Sequence, residues 1–288
     1  MGSSIAAAAK KANPGIKIKG FDIDGNNLAF CLKNKLIDSK ADLSELSGKG
    51  KFSGEELIIL CIPPASILNI LKDRRHFFEK APLITDIASI KGFLFNDKKP
   101  IRSLLKNFVG SHPMCGSDKS GPENFDPGLF KSKQCIVIKE KRDLKNPERM
   151  KKIEGVSSFW RMLGMEVFYS SPAFHDIMAS YTSHLPHLVS FALSGTVTKK
   201  ILMEKANNSE AFIGTGFRDS TRIADSSHVL WSDIFINNKE NVLSSLDDFI
   251  HFLDTLKKII RKGDTESLES LLKAVSEERE GIYDYHKI

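Results

Sequence analysis

The chain has 288 residues, of which 41% are hydrophobic and 27% charged, a profile that excludes a disordered, collagen-like or fibrous protein. No uninterrupted apolar run approaches the roughly 20 residues needed to cross a bilayer, so we expect no membrane partner. The net charge of +6 is spread along the chain and suits an anionic small molecule as well as a nucleic acid. Nothing in the sequence favours the nucleic acid.

The first half of the chain alternates short apolar runs with amphipathic stretches, a pattern typical of βαβ units and a parallel sheet. The run at 57–62 is continuously apolar, as expected for a strand buried on both faces. The predicted strands are 16–21, 57–62, 82–86, 134–138 and 166–169, and the predicted helices are 3–12, 26–35 and 147–163.

From Pro172 onward, long helical segments dominate. Ser171 suits a helix N-cap and Pro172 a first helical turn, so a second, mostly helical domain is predicted to begin there. The predicted helices of this part are 173–206, 219–236, 239–262 and a charged one at 265–280. The fold prediction is therefore a Rossmann-like α/β domain over 1–171, followed by an all-α domain over 172–288.

Gly2 and Asp22 form part of a dinucleotide-binding signature. In such a βαβ unit the last glycine of GxGxxG lets helix and strand pack closely, and an acid about 20 residues later binds the adenosine ribose hydroxyls. An acid at position 22 favours NAD over NADP, because a carboxylate repels the 2′-phosphate. The first strand and the first two glycines would lie before Met1, so we expect the natural protein to begin roughly 10 or more residues earlier. The alternative is that Met-Gly-Ser-Ser is merely a start sequence or the remnant of an expression tag.

The four cysteines contain no CxxC pair, and a reducing cytosol is expected. Cys31 and Cys61 stand among apolar neighbours and are predicted to be buried thiols.

Ser89 and His112 are the first candidates for catalysis. Ser89 follows a predicted strand, and His112 lies in a glycine-rich segment that we interpret as a turn. Loops at the carboxyl ends of strands are where an α/β domain delivers functional groups. A neutral imidazole can take a proton from a hydroxyl while a hydride leaves the same carbon. A surface histidine in a turn is the alternative.

Two further groups lie in the helical part. His184 and His187 are three residues apart near a predicted kink at Pro186; a metal site is conceivable there, but no clear third ligand accompanies them. Arg218 and Arg222 are four apart, and an arginine suits bidentate capture of a carboxylate. An exposed basic face is the alternative, more so for Arg218 than for Arg222, which precedes two apolar residues.

Together these segments resemble the prephenate dehydrogenase family, the cyclohexadienyl dehydrogenases of tyrosine biosynthesis. The similarity runs nearly from end to end. Its most specific segments are TDIASIKG at 85–92, FVGSHPMCGSDKSG at 108–121, SHLPHLVSFAL at 183–193 and GFRDSTRIADSSHVLWSDIF at 216–235. Four motifs in order and at suitable spacing are stronger than any one of them.

The resemblance implies an oxidative decarboxylation in which NAD takes the hydride from the ring carbon bearing the hydroxyl, carbon dioxide leaves and the ring becomes aromatic. It implies that His112 deprotonates the hydroxyl, that Ser89 supports His112 and the nicotinamide end, and that Arg222 holds a substrate carboxylate. The other pocket residues implied are His184, His187, Asp118, Asp219 and Trp231. The implied cofactor-binding residues are Gly2, Asp22, Pro63 and Ser89, with no metal ion.

Three interpretations of function remain. The first is an NAD-dependent prephenate dehydrogenase that forms a homodimer through its helical domain. The second is an arogenate dehydrogenase or an enzyme of dual specificity, and the third is a non-catalytic dimer lacking a complete cofactor site. Where many family members have three glycines before the phenylalanine, this chain has Gly214-Thr215-Gly216, a difference at the expected pocket rim.

Overall fold

The computed structural model describes residues 1–41, 52, 56–95, 106–116, 121–204 and 208–284. The chain divides by its contacts into two compact units, Met1–Lys239 and Glu240–Ile288. The domain boundary at 171/172 stays a prediction. Among the described residues, no helix has the length and apolar character that crossing a membrane requires.

The described strands all lie in the larger unit and form three sheets. They are β1 (Lys19–Gly20), β2 (Ser39–Lys40), β3 (Leu57–Leu60), β4 (Leu83–Asp86), β5 (Phe108–Val109), β6 (Ser111–Pro113), β7 (Gln134–Ile138) and β8 (Glu166–Ser170). The sheet orders are β1-β2, β3-β4-β5 and β6-β7-β8. All pairings are parallel except β6 with β7, which is antiparallel. The parallel α/β class is thus confirmed, although β2, β5 and β6 were not predicted and the strand expected at 16–21 is shorter.

The α/β part contains helices that flank these sheets. They are α1 (Gly2–Ala12), α2 (Gly25–Lys33), α3 (Pro64–Asp73), α4 (Arg75–Lys80), α5 (Gly92–Phe95) and α6 (Pro147–Met162), with short 3₁₀ turns at Pro122–Asn124 and Lys141–Lys145. Asn146 caps α6, since its side chain accepts a hydrogen bond from the Arg149 amide.

The described residues from Pro172 to Asp284 are mainly helical, as predicted. The segments are α7 (Pro172–Ala179), a π-helical turn (Ser180–His184), α8 (Leu185–Met203), a 3₁₀ turn (Ser209–Phe212), α9 (Thr215–Thr221), a 3₁₀ turn (Arg222–Asp225), α10 (His228–Asn237), α11 (Lys239–Lys262) and α12 (Thr265–Asp284).

The predicted helices 173–206 and 219–236 are each interrupted. Pro186 has no N–H with which to continue an α-helical ladder, and the chain takes a π turn just before it. Ser227 starts α10 afresh, because its side chain caps the amide of Leu230.

Two apolar clusters hold the α/β part together. In one, α1 and α6 pack on β7, with Val137, Val156 and Trp160 fully buried. In the other, Leu71 of α3 and Phe78 of α4 pack against β3, β4 and β5. Each cluster lies between helices and strands, as the layered α/β arrangement requires.

Gly110 is the point where the chain leaves one sheet for another. It separates β5 from β6, and a Cβ atom there would lie 2.9 Å from the Phe95 ring and 3.1 Å from the Ile138 side chain. Only glycine fits this close approach without a shift of its neighbours. Because β6 enters the new sheet directly, with no crossover helix, its antiparallel pairing with β7 was not apparent from the βαβ pattern.

The prediction for the thiols is wrong in part. Cys31 and Cys61 are half-buried rather than buried, whereas Cys135 in β7 is fully buried, and all four cysteines are free. Burial raises the pKa of the Cys61 thiol to about 12, so this thiol is protonated at neutral pH.

A buried ion pair joins Asp86, the last residue of β4, to Lys91 in the segment that follows. The Nζ atom of Lys91 lies 2.5 Å from Oδ2 of Asp86, and neither side chain is exposed to solvent. The carboxylate also accepts hydrogen bonds from the amides of Ala88 and Ser111. Burial lowers the pKa of Lys91, and the carboxylate of Asp86 opposes this change. The pair therefore stabilises the turn after β4 only while both charges are present.

Replacement of Lys91 by methionine should lower the free energy of unfolding by about 3–5 kcal/mol, because Asp86 is left buried without a counter-charge. Urea denaturation of the two proteins measures the difference. The control is Lys200→Met, which breaks the exposed pair with Glu204 and should cost less than about 1 kcal/mol. Equal losses for the two variants would contradict the role given to the buried pair.

Candidate active site

His112 lies in a strand and not in the predicted turn. It is the middle residue of β6, pairs in register with Ile136 of β7 and is only 8% exposed. The preceding residue, Ser111, anchors β6 to β4: its hydroxyl donates to the carbonyl of Asp86 at 2.7 Å and accepts from the indole N–H of Trp160 at 2.9 Å. Because Ser111 is bonded both to β4 and to Trp160 of α6, the strand gives the neighbouring imidazole a fixed position.

His112 forms a hydrogen-bonded chain with two residues of α7. Its Nδ1 lies 2.9 Å from Nε2 of His175, and Nδ1 of His175 lies 2.7 Å from Oδ1 of Asp176. All three side chains are buried. These hydrogen bonds thus connect the α/β part directly to α7, the helix that begins at Pro172.

Asp176 also fixes the segment that follows β4. Its Oδ1 accepts the amide N–H of Lys91 at 2.7 Å, and its Oδ2 accepts that of Gly92 at 2.6 Å. These two amides open α5, where backbone N–H groups have no helical partners and a carboxylate is favoured. A Cβ atom on Gly92 would lie 2.8 Å from Oδ2, so any larger residue at this position would have to displace the carboxylate.

A second group of side chains comes from the π-helical turn that ends at His184, from α8 and from α10. The ring of His187 stacks on Trp231, with centroids 3.5 Å apart and planes inclined by 22°, and Nδ1 of His187 donates to the carbonyl of Ser183. His184 is fully buried and contacts the same indole edge-on at 6.1 Å. Its Nδ1 accepts from Nδ2 of Asn238, whereas its Nε2 has no hydrogen-bond partner in the described part of the chain.

The electrostatics of the site keep these histidines neutral. Burial lowers the pKa of His112 well below the usual value, and the neighbouring His175, Lys91 and His184 act in the same direction. Burial also lowers the pKa of His184 to about 4. The pKa of His187 falls for the same reason, with a smaller contribution from the Arg222 cation. At neutral pH these three imidazoles are uncharged.

The charged candidates of the helical part are at the surface. Arg222 begins the 3₁₀ turn after α9 and is exposed, against the expectation from its apolar neighbours. It is nevertheless close enough to His187 to influence its pKa. Arg218 and Asp219 of α9 are exposed as well. Asp118 lies outside the described residues.

Ser89 lies half-buried in the segment between β4 and α5. Within the described residues its side chain makes no hydrogen bond to His112, and the bond to that ring comes from His175. The support of His112 by Ser89 therefore stays a prediction.

The residues predicted to hold a dinucleotide lie at helix starts and strand ends. Gly2 opens α1 so close to the end of β3 that an added Cβ would lie 3.3 Å from that of Cys61. No side chain caps this helix start. Asp22 follows β1 with an exposed carboxylate, and Pro63 stands at the N-cap of α3. A helix start without a side-chain cap suits a pyrophosphate, and an exposed acid just after a strand suits a ribose.

Sequence reasoning missed His175, Asp176 and Asn238. His175 and Asp176 are adjacent in the first turns of a predicted helix, and no periodicity singles them out. The available signal was their adjacency itself, a carboxylate beside an imidazole shortly after the predicted domain boundary.

The α/β part is of the nucleotide-binding kind, and the helices that follow it carry neutral histidines and an arginine. Together these two parts define a two-part dehydrogenase. The chain belongs to the prephenate dehydrogenase family. Residues 5–169 match the family described as "Prephenate dehydrogenase, nucleotide-binding domain", and residues 171–274 match "Prephenate dehydrogenase, dimerization domain".

Individual relatives agree with this assignment. A prephenate dehydrogenase of Bacillus subtilis is 32% identical over 98% of this chain and 73% of its own length. The solved prephenate dehydrogenase of Aquifex aeolicus, in complex with hydroxyphenyl propionate and NAD+, is 31% identical with a TM-score of 0.84, covering 97% of this chain and 94% of the other. The arogenate dehydrogenase of Synechocystis is 25% identical with a TM-score of 0.75, covering 97% and 95%.

Substitution of Gly92 by alanine should lower both stability and turnover, because the new methyl group meets the Asp176 carboxylate and displaces it from its two amides. We expect an unfolding free energy lower by about 1–3 kcal/mol, measured by urea denaturation. Gly25→Ala is the matched control, since nothing lies within 4 Å of a Cβ at that position. If Gly92→Ala is as stable as the control variant, the close approach to Asp176 is not a constraint.

Proposed function

We propose that the protein is an NAD-dependent prephenate dehydrogenase that converts prephenate oxidatively to 4-hydroxyphenylpyruvate and carbon dioxide. The observation that carries this proposal is a buried, neutral His112 whose Nδ1 is hydrogen-bonded to Nε2 of His175. Its role is to accept the proton of the substrate's ring hydroxyl.

A neutral base is what the reaction needs. The proton leaves the ring hydroxyl as the carbonyl forms, and loss of carbon dioxide makes the ring aromatic. Aromatisation provides the driving force, so the side chains mainly orient the substrate and receive one proton. Bound NAD supplies the oxidation by accepting the hydride from the carbon that bears the hydroxyl.

The cofactor is held by the helix start at Gly2 and by Asp22. The uncapped amides of α1 suit the pyrophosphate, and the exposed carboxylate at position 22 suits ribose hydroxyls and disfavours a 2′-phosphate. Pro63 at the start of α3 and Ser89 after β4 complete the predicted cofactor contacts.

The substrate's carboxylate and polar oxygens face the helical part. Arg222 is exposed, lies near His187 and offers a planar guanidinium for a carboxylate. The buried Nε2–H of His184 has no partner among the described residues, which suits an oxygen of the ligand. The stacked pair of His187 and Trp231 provides a flat wall for a ring. Asp118 and Asp219 are assigned to the pocket entrance by resemblance.

The functional unit is proposed to be a homodimer in the reducing cytosol, with the domain boundary at 171/172. Support comes from the matched dimerization domain and from exposed apolar side chains on one side of α11, namely Leu243, Ile250, Leu253 and Ile260. Light scattering should give twice the mass of one chain.

Arogenate is the alternative substrate, because the similarity extends to an arogenate dehydrogenase. The two substrates differ in a keto or an amino group on the side chain. Comparison of kcat/KM for both, followed by NADH absorbance, tests the proposal: a higher value with prephenate supports it, and a higher value with arogenate corrects it. No turnover of either substrate would favour the non-catalytic dimer.

Replacement of His112 by asparagine should reduce kcat by about 10² to 10⁴, the usual contribution of a positioned base, with little change in KM. Steady-state kinetics with saturating NAD measures this. His76→Asn serves as the control because that histidine is exposed on α4. A kcat within a factor of two of the wild-type value would remove His112 from the proton transfer.

Loss of the guanidinium in Arg222→Ala should raise KM for prephenate by about 10- to 100-fold, as expected when a charged hydrogen-bonding partner is removed. Arg222→Lys should recover little, since an ammonium lacks the planar fork. The control, Arg75→Ala, removes an exposed arginine of α4. An unchanged KM in a folded Arg222→Ala protein would exclude the clamp.

A further inference from the structure

The imidazole of His112 has two nitrogens, and the protein already occupies one. Nδ1 points to His175, so only Nε2 is available to a substrate hydroxyl. Nε2 can accept a proton only if the ring proton resides on Nδ1. What decides the tautomer of His112 is therefore the hydrogen-bonding state of His175.

Asp176 fixes the tautomer of His175. A carboxylate can only accept hydrogen bonds, and this one lies 2.7 Å from Nδ1 of His175 while it also accepts the amides of Lys91 and Gly92. The proton of His175 is thus on Nδ1, and its Nε2 carries a lone pair.

Nε2 of His175 in turn fixes the tautomer of His112. With a lone pair on that atom, the 2.9 Å contact to Nδ1 of His112 is a hydrogen bond only when His112 donates. Since His175 is 4% exposed, water does not compete for the position.

The position of Asp176 is itself secured from its other side. Its backbone carbonyl accepts Nδ2 of Asn238, which donates to Nδ1 of His184 as well. The carboxylate of Asp176 is held by the amides at the start of α5, and its backbone carbonyl is held by Asn238 at the end of α10. Each N–H between Asp176 and His112 therefore faces an acceptor: His175 donates to Asp176, and His112 donates to His175. Nε2 of His112 stays available to a ligand.

We propose that His175 and Asp176 are positioning residues that hold His112 in the tautomer protonated on Nδ1, which leaves Nε2 as the proton acceptor. The use of Nε2 in proton transfer rests on the proposed function, whereas the tautomer does not. Neither residue touches the reacting atoms; they act through the ring of His112.

The direct test is the tautomer in the wild-type protein. Long-range ¹H–¹⁵N correlation spectra are recorded at pH 8 on protein labelled with ¹⁵N-histidine, and His112→Asn identifies the signals of His112 by their absence. We expect Nδ1 to have the shift of a protonated nitrogen and Nε2 that of an unprotonated one. The opposite assignment would overturn the proposal, without recourse to any variant of His175.

Variants of His175 test the coupling to turnover. His175→Phe keeps an aromatic ring but removes the acceptor, so His112 should lose its single tautomer and kcat should fall about 10- to 100-fold, the usual cost of removing the partner behind a functional histidine. His175→Gln retains an acceptor and should recover part of the loss. His76→Phe, at an exposed histidine, is the control and should change neither readout.

The outcomes separate the two proposals. A His175→Phe protein that keeps both the Nδ1-protonated His112 and the wild-type kcat would refute the positioning role. If wild-type protein shows the expected tautomer but oxidises neither prephenate nor arogenate, the positioning inference stands and the proposed function fails.

Discussion

The carboxylate of Asp176 is the constraint on which the site depends. It accepts three N–H groups: the amides of Lys91 and Gly92 in the segment after β4, and the imidazole of His175 in its own helix. One side chain thereby fixes the start of α5, the attachment of α7 and the orientation of His112. Because a buried carboxylate that loses its donors is costly, the three elements are fixed together rather than independently.

Burial determines the protonation states of the histidines in the site, and it also makes any unpaired charge there unfavourable. The pKa values of His112 and His184 are lowered chiefly because solvent is excluded, so both rings are neutral at pH 7. The same exclusion of solvent requires each remaining charge to have a partner, and Lys91 meets this requirement with Asp86. Arg222, the proposed partner of a substrate carboxylate, is instead exposed to water.

The sequence was sufficient for the features that depend on local patterns. The cap and proline at 171–172 and the helix at 239–262 were predicted correctly, because periodicity and capping are local properties. The apolar run at 57–62 does contain a strand, but it spans only Leu57–Leu60, and three of its four residues are half-buried rather than buried on both faces. The strand at His112 was missed, since its pairing with β7 follows from the close packing around Gly110 and not from its own composition. The hydrogen-bonded chain from His112 to Asp176 was missed too, because its bond between His112 and His175 joins residues 63 positions apart and has no periodic signal.

In the proposed reaction the lowered pKa makes His112 a weaker base, but it also keeps the ring unprotonated and able to accept a proton. At the usual histidine pKa, part of the protein would carry an imidazolium at pH 7 and could not accept the proton at all. The lowered pKa makes every His112 available, at the expense of driving force in the transfer itself. A reaction that ends in an aromatic ring tolerates that loss, since its driving force comes from the product. In the proposed role of His112, burial therefore weakens the base and serves its orientation, which the hydrogen bonds from Asp176 through His175 provide.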